Sequence, residues 1–283
     1  MQEVKVHNKP LISVVIACYN DADFIEQSVA SALQQTYPHI EVIIIDDGSN
    51  QTTKNVLKAI EPKITKLITQ NNQGQSTARN VGIKQAKGDY ILVLDSDDYF
   101  EPTFCEKAML HFEQDGAVKI VTSNVTRLLP NGEKELFKPC GGTIKNFLKF
   151  NCATGSALFK KLDWEAVGGY DEAMRQGFED WEFYIRLVKG GGKAYIIQEA
   201  LFNYRVKEHS TSTRANKIKY SLLQYIYFKH KDLYVSNFEL FVNFLLYKIE
   251  AEEISKNNKV KKVEFKLGNA ILRPFRYVKS LLQ

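Results

Sequence analysis

The stretch Tyr90-Ile91-Leu92-Val93-Leu94-Asp95-Ser96-Asp97-Asp98 is an unbroken apolar run that ends in three carboxylates within four residues. Such a run reads as a strand buried on both faces. The carboxyl end of a buried strand in an open α/β sheet is where ligands bind. Three like charges so close repel one another, so they suit a cation or a polyhydroxylated ligand. Hard oxygen donors at this density suit Mg²⁺ or Mn²⁺, and through the ion a diphosphate. The same residues also read as a solvated turn opening a helix, because Glu101-Pro102 follows at once.

Working outward, residues 11–17 and 42–45 are further apolar runs, the second ending at Asp46-Asp47-Gly48-Ser49. After the first, Asp23 and Glu26 are expected to cap a helix whose Ile25, Val29 and Leu33 share one face. A helix is expected over 53–60 and a strand over 64–69. Gly74 then gives a turn, Ser76 a cap, and Gly88 a stop for the next helix. This β-α-β-α-β-α-β order implies an α/β fold with a mainly parallel sheet covered on both sides. Downstream, a helix over 103–112 precedes a strand over 119–126 and a turn at Asn131-Gly132. Helical segments near 216–232, 236–256 and 263–282 close the chain.

Composition sets bounds on function. The 283 residues are 44% hydrophobic and 25% charged, as in ordinary globular proteins. The net charge of +5 is unevenly spread: residues 216–283 hold 13 Lys/Arg against 6 Asp/Glu, and residues 1–215 hold 25 against 27. A mildly acidic body argues against a grip on nucleic acid, and a basic tail argues for an anionic surface. Cys18, Cys105, Cys140 and Cys152 are scattered, without metal-ligand spacing or a disulfide framework, which fits free thiols in a reducing compartment. Residues 1–5 lack the apolar core of a signal peptide. The best membrane candidate, 238–249, is interrupted by Glu239, Asn243 and Lys248, so the chain is not expected to span a bilayer.

Further signals fall where strand ends should converge: Cys18-Tyr19-Asn20-Asp21, Asp46-Asp47-Gly48-Ser49, Ser76-Thr77-Ala78-Arg79-Asn80, and Gly177-Phe178-Glu179-Asp180-Trp181. Each alone has a plain reading as a turn, an ion pair or a helix start. Their joint order, with Val14–Asn20, Gly168-Gly169-Tyr170-Asp171 and Arg205…His209, resembles the family-2 glycosyltransferases of GT-A fold over roughly residues 10–210.

The resemblance implies a GT-A-type, Rossmann-like sheet flanked by helices over 1–215, with a nucleotide-binding half at 1–100 and an acceptor half at 101–215. Residues 216–283 form a C-terminal helical extension. Ala17 and Tyr19 fall where base and ribose pack. Asp47 reads the base, since a carboxylate accepts the uracil N3–H that cytosine lacks, which favours UDP. Arg79 holds the pyrophosphate or the base edge. Asp95, Ser96 and Asp97 are the D-x-D, with Asp97 the direct ligand of Mn²⁺ or Mg²⁺, Asp95 nearer the ribose or sugar, and His209 completing the shell. A bound divalent ion would stabilise the leaving diphosphate. Asp180 is the general base, and attack opposite the leaving group inverts the anomeric centre. Glu179 orients the loop or an acceptor hydroxyl, and Trp181 either stacks on the acceptor sugar or packs in the core.

The family's processive synthases carry Gln-x-x-Arg-Trp and membrane spans, and this chain has neither. The expectation is therefore a non-processive hexosyltransferase of bacterial surface-polysaccharide synthesis, acting on a saccharide or lipid-linked acceptor in the cytoplasm. In the tail, Leu267, Ile271, Phe275, Val278 and Leu282 recur at helical spacing among Lys266, Arg273, Arg276 and Lys279. That pattern suits either an anionic membrane surface at the inner face or packing on the protein itself. Two rivals remain: a non-catalytic sugar-nucleotide-binding subunit, and a haloacid-dehalogenase-type phosphatase. The phosphatase wants Thr or Val where Tyr99 stands, and its motif on the first strand. A dinucleotide fold fails for want of G-x-G-x-x-G after strand one.

Overall fold

A computed structural model describes residues 9–208, 210–261, 266–273 and Tyr277. The sheet begins with β1 (Ile12–Cys18), β2 (Ile40–Asp47), β3 (Lys66–Gln70) and β4 (Tyr90–Asp95), joined by α1 (Ile25–Leu33), α2 (Gln51–Ile60) and α3 (Gln75–Gln85). All four strands are parallel, in the order β3-β2-β1-β4. Ile12, Val14, Val15 and Ile16 of β1 and Ile91 to Leu94 of β4 are buried, as unalternating apolar runs require when helices cover both faces. Against this sheet α3 packs very closely. A Cβ on Gly82 would lie 2.3 Å from Ile45 Cδ1 and 2.5 Å from Val15 Cγ1, so only glycine admits that approach.

The second half is mixed rather than parallel. After β5 (Tyr99–Phe100) and α4 (Phe104–Gln114) come β6 (Val118–Leu128), β7 (Lys134–Phe137), β8 (Gly142–Thr143), α5 (Ile144–Phe147) and β9 (Leu158–Lys160). Then follow α6 (Lys161–Val167), α7 (Glu179–Val188) and β10 (Lys193–Arg205). The three-residue β9 runs antiparallel between β4 and β6, while β10 runs parallel to β6 and carries β5 and β8 as antiparallel neighbours. Parallel pairing is thus confined to the first four strands and to β6–β10.

Two expected caps differ. The cap position of α1 is Phe24, not Asp23, and the Asp21 carbonyl accepts the N–H groups of Phe24 and Ile25 at 3.1 Å each. Ser76 lies inside α3 and donates to the Met174 carbonyl at 3.3 Å, because Gly74, at φ 92°, already turns the chain into the helix. Helix α2, expected to start at 53, starts at Gln51 behind a cap the sequence reading did not name, Asn50, whose side chain accepts from the Thr53 N–H at 2.9 Å.

The helices α8 (Thr211–Lys217), α9 (Lys219–Lys229), α10 (Lys231–Ser236) and α11 (Phe238–Lys261) follow the sheet. The chain divides into two units, one ending at Lys231 and the other beginning at Asp232. Among the described residues no helix is long and apolar enough to cross a membrane. His209 and the tail residues Phe275, Arg276, Val278, Lys279 and Leu282 lie outside the described residues, whereas Leu267 and Ile271 are exposed.

Candidate active site

A cleft of about 900 Å³ opens at the carboxyl ends of β1, β2 and β4 and is closed on its other side by the start of α7 and by residues after β10. Ala17, Tyr19, Asp47, Arg79, Asp95, Ser96, Asp97, Glu179, Asp180 and Trp181 all line it. The two loops nearest its floor are stitched together. Asn20 N donates to Ser49 Oγ at 3.1 Å, and Asn50 N donates to Asn20 Oδ1 at 2.7 Å.

Asp47 ends β2 and is nearly buried. Its Oδ1 accepts from Gln70 Nε2 at 2.7 Å and Gln73 N at 2.9 Å, and its Oδ2 accepts from Gly74 N at 2.8 Å. Three N–H groups therefore hold it as an acceptor. An ionised carboxylate offers about four lone-pair sites, so one is left for a ligand's N–H. Tyr19, in contrast, is 51% exposed and presents its ring at the cleft.

Arg79, on α3, is the tie between the two halves. Only 1% exposed, it donates from Nη2 to Asp95 Oδ1 at 2.7 Å and from Nη1 to Glu179 Oε1 at 2.8 Å, over the Tyr170 ring at 5.3 Å. Burial opposes its charge, but Asp95 and Glu179 together outweigh that, and its proton is held more firmly than that of a free guanidinium. Gln75 Nε2 adds a second donor to Asp95 Oδ1 at 2.7 Å.

The turn after β4 carries the other acids. Ser96 Oγ donates to Asp21 Oδ2 at 2.6 Å. Asp97 Oδ2 pairs with Lys207 Nζ at 2.8 Å, and the same ammonium reaches Asp21 Oδ1 at 2.8 Å. Asp98 is wholly buried. Its carboxylate accepts the Arg205 N–H at 2.8 Å and leaves Oδ2 without a partner among the described residues. The Arg205 guanidinium donates to the Asp97 carbonyl and to Gln27. Burial first, and then the neighbouring Asp97 and Asp95 charges, push the Asp98 carboxyl well above the usual range; burial and Asp95 also raise Asp97.

Glu179 and Asp180 open α7, preceded by Phe178 at φ 62°. Burial, opposed by Arg79 and aided by Asp180, lifts Glu179 to about 7. Asp180 is raised too, mainly by burial, although Arg79 and Asn151 favour its ionised form; Asn151 Nδ2 donates to Asp180 Oδ2 at 2.7 Å. Trp181 is 5% exposed with its indole N–H donating to the Phe147 carbonyl at 2.7 Å, so most of its ring is packing. The half-exposed aromatic at this point of the cleft is Phe178.

A six-coordinate hard cation takes one or two carboxylates plus phosphate oxygens. Here Lys207 already holds Asp97 Oδ2, and Arg79 with Gln75 holds Asp95 Oδ1. Among the described residues no three His, Cys, Asp or Glu side chains are grouped to hold a metal ion. Each carboxylate keeps a second oxygen that these contacts do not use, so Asp95 and Asp97 could still hold a divalent ion together with phosphate oxygens. Sequence reasoning gave no role to Asp21, Asn151, Phe178 or Lys207, although Asp21 and Phe178 lie inside motifs it singled out and Lys207 stands two residues before His209.

Residues 13–165 match the family model described as glycosyl transferase family 2. A Bacillus subtilis (strain 168) protein named for teichuronic acid biosynthesis, the glycosyltransferase TuaG, is 32% identical over 211 residues, covering 72% of this chain and 82% of that protein. A chondroitin synthase of Pasteurella multocida (strain Pm70) is 29% identical over 222 residues, which are 76% of this chain and 22% of the synthase. Among solved structures, S. aureus TarS 1-349 in complex with UDP aligns with a TM-score of 0.59 at 19% identity, covering 70% of this chain and 61% of that one. At that identity the likeness concerns the fold.

Proposed function

The chain belongs to glycosyl transferase family 2, and from that premise we propose that it moves a sugar from a UDP-sugar to a saccharide or lipid-linked saccharide hydroxyl, with inversion. The observation that carries this reading is the convergence in one cleft of a nearly buried acceptor at the end of β2, two carboxylates at the end of β4 and a half-buried carboxylate at the start of α7.

The roles follow from the chemistry. Asp47, held by three N–H groups, has one acceptor site left for the uracil N3–H. Tyr19 and Ala17 give the base and ribose a surface. Arg79 orients Asp95, which accepts from the ribose or the sugar. Asp180 takes the acceptor's proton; a carboxyl raised towards neutrality is a better base than a free one, and Asn151 aims it. Glu179 keeps Arg79 in place, and Phe178 offers the acceptor ring a face. The family resemblance implies Mn²⁺ or Mg²⁺, which Asp97 and Asp95 would hold and which would stabilise the charge of the leaving diphosphate. The relatives named for teichuronic acid and chondroitin synthesis support a role in surface polysaccharide. The basic tail over 263–283 is proposed to rest on anionic lipid at the cytoplasmic face.

Calorimetry with UDP and CMP on wild type and Asp47→Asn tests the reading. Wild type should prefer UDP, and the variant should lose about ten- to hundred-fold in UDP affinity, the worth of a charge-assisted hydrogen bond. Collapse of the 72–74 loop would weaken both nucleotides alike. Equal UDP affinity in both proteins would remove Asp47 from the base site.

A further inference from the structure

We propose that Cys140 and Cys152 form a reversible disulfide site behind the wall of the cleft, and that closing it takes Asn151 away from Asp180. The second half rests on the reading of Asp180 as the base. Nothing in the spacing of the four cysteines pairs these two, but the fold does. The Gly141 N–H donates to the Cys152 carbonyl at 2.9 Å. Such a bond holds facing backbones about 5 Å apart, inside the roughly 4.4–6.8 Å that a disulfide spans between Cα atoms. Gly141 is itself pinned, at φ 60°, so closely against β10 that a Cβ there would lie 2.8 Å from the Ala194 carbonyl.

The two thiols differ in access. Cys140 is exposed, whereas Cys152 is buried and its Sγ donates to the Phe150 carbonyl at 3.3 Å. Burial, and then the adjoining Cys140 side chain, push the Cys152 thiol above its ordinary value. An oxidant therefore meets Cys140 first. Hydrogen peroxide gives one oxygen to the Cys140 sulfur, leaving a sulfenic acid and water. The Cys152 sulfur then attacks that sulfur: the S–S bond forms, the S–O bond breaks, and the Cys152 proton leaves with the hydroxide as water. Two equivalents of a free thiol reverse the step by exchange.

The consequence reaches the cleft through one neighbour. Asn151 Nδ2 donates to Asp180 Oδ2 at 2.7 Å, and Asn151 Oδ1 accepts from the Ala153 N–H at 3.4 Å. Drawing the Cys152 sulfur to the roughly 2.05 Å of an S–S bond ends its contact with the Phe150 carbonyl and turns the residues on either side. The same segment supplies the Phe147 carbonyl that accepts the Trp181 indole N–H at 2.7 Å. Trp181 stands next to Asp180 and so reports on the same movement.

The full chain treated with hydrogen peroxide, then unfolded with its remaining thiols blocked and digested, should yield the Cys140–Cys152 linked peptide as the main oxidised product. Dithiothreitol should remove it, and Cys140→Ser should leave Cys152 reduced at the same dose. In a Trp164→Phe protein, where Trp181 is the single tryptophan, emission should shift on oxidation and return on reduction. Adding Cys140→Ser should abolish the shift. UDP affinity by calorimetry should differ between the two redox states by less than about threefold. Cys140 recovered as sulfinic acid beside a free Cys152, or as a link between two chains, would overturn the proposal. So would a linked peptide with unchanged Trp181 emission, or loss of UDP binding on oxidation, which would mark general damage. Undiminished transfer by Asp180→Asn would instead strike the base reading, with the linked peptide and the emission shift still in place.

Discussion

Replacing Arg79 by Met removes the cation that joins the end of β4 to the start of α7. The substitution keeps the stem's volume and leaves Glu179 and Asp95 facing one another without their shared partner. Glu179 has 7% of its side chain exposed, Asp95 has 23%, and Arg79 itself 1%. Breaking a buried pair by removing one member costs about 3–5 kcal/mol. For a unit of this size that is a fall in Tm of roughly 6–20 °C. The loss should depend on pH, with a definite sign. Glu179 is raised from 4.5 to about 7 in the folded state, so between those values the folded chain binds more protons than the unfolded one. A group raised in this way lowers stability as pH rises through that window. Arg79 is the influence that holds Glu179 down; without it the carboxyl moves higher still, and the decline continues to higher pH. Thermal melts of both proteins should therefore show a small gap at about pH 5, where Glu179 is protonated in each, and a wide one at about pH 8. A gap that stays constant between these conditions, or a variant as stable as wild type at the upper one, would refute the assignment of Arg79 as the tie between the halves.

Asp180→Asn keeps an oxygen for Asn151 to donate to, so UDP binding by calorimetry should be unchanged while transfer falls by about 10²–10⁴-fold; a variant retaining more than about a tenth of wild-type turnover would remove Asp180 as the base. Gly82→Ala forces a methyl group to within 2.5 Å of Val15 and Ile45 and should cost about 1–3 kcal/mol in chemical denaturation, and an unchanged midpoint would show that α3 does not pack so closely. Truncation after Lys262 should abolish co-sedimentation with anionic vesicles and spare UDP binding. A full-length protein indifferent to such vesicles would argue for packing of the tail instead.

The parallel half was legible because its strands are buried on both faces, and β1, β2 and β4 consequently spell continuous apolar runs. Strand β9 was not, since three residues are too few to establish any period and its place between β4 and β6 is set by tertiary pairing. Helix starts were misassigned where the chain uses a backbone carbonyl, as at Asp21, or a left-handed glycine, as at Gly74. Arg79 and Glu179 were each visible as motif residues, but nothing in their spacing says that side chains a hundred positions apart will share a buried ion pair. Lys207 carried no signal of its own. Lysines are mostly solvated, and only the fold shows which one is brought against an aspartate pair.

The insertion of β9 also has a bearing on how the chain is made. Strand β4 finds its second neighbour only when Leu158–Lys160 arrives, long after Asp95 has been synthesised. At roughly 5–20 residues per second, that is an interval of several seconds. Through it, a nascent β-α-β-α-β-α-β segment carries an apolar edge with open N–H and C=O groups, the template on which chains pair with one another. The ribosome-bound intermediate, rather than the finished enzyme, is thus the species most exposed to aggregation, and β4 is the seam at which it would begin.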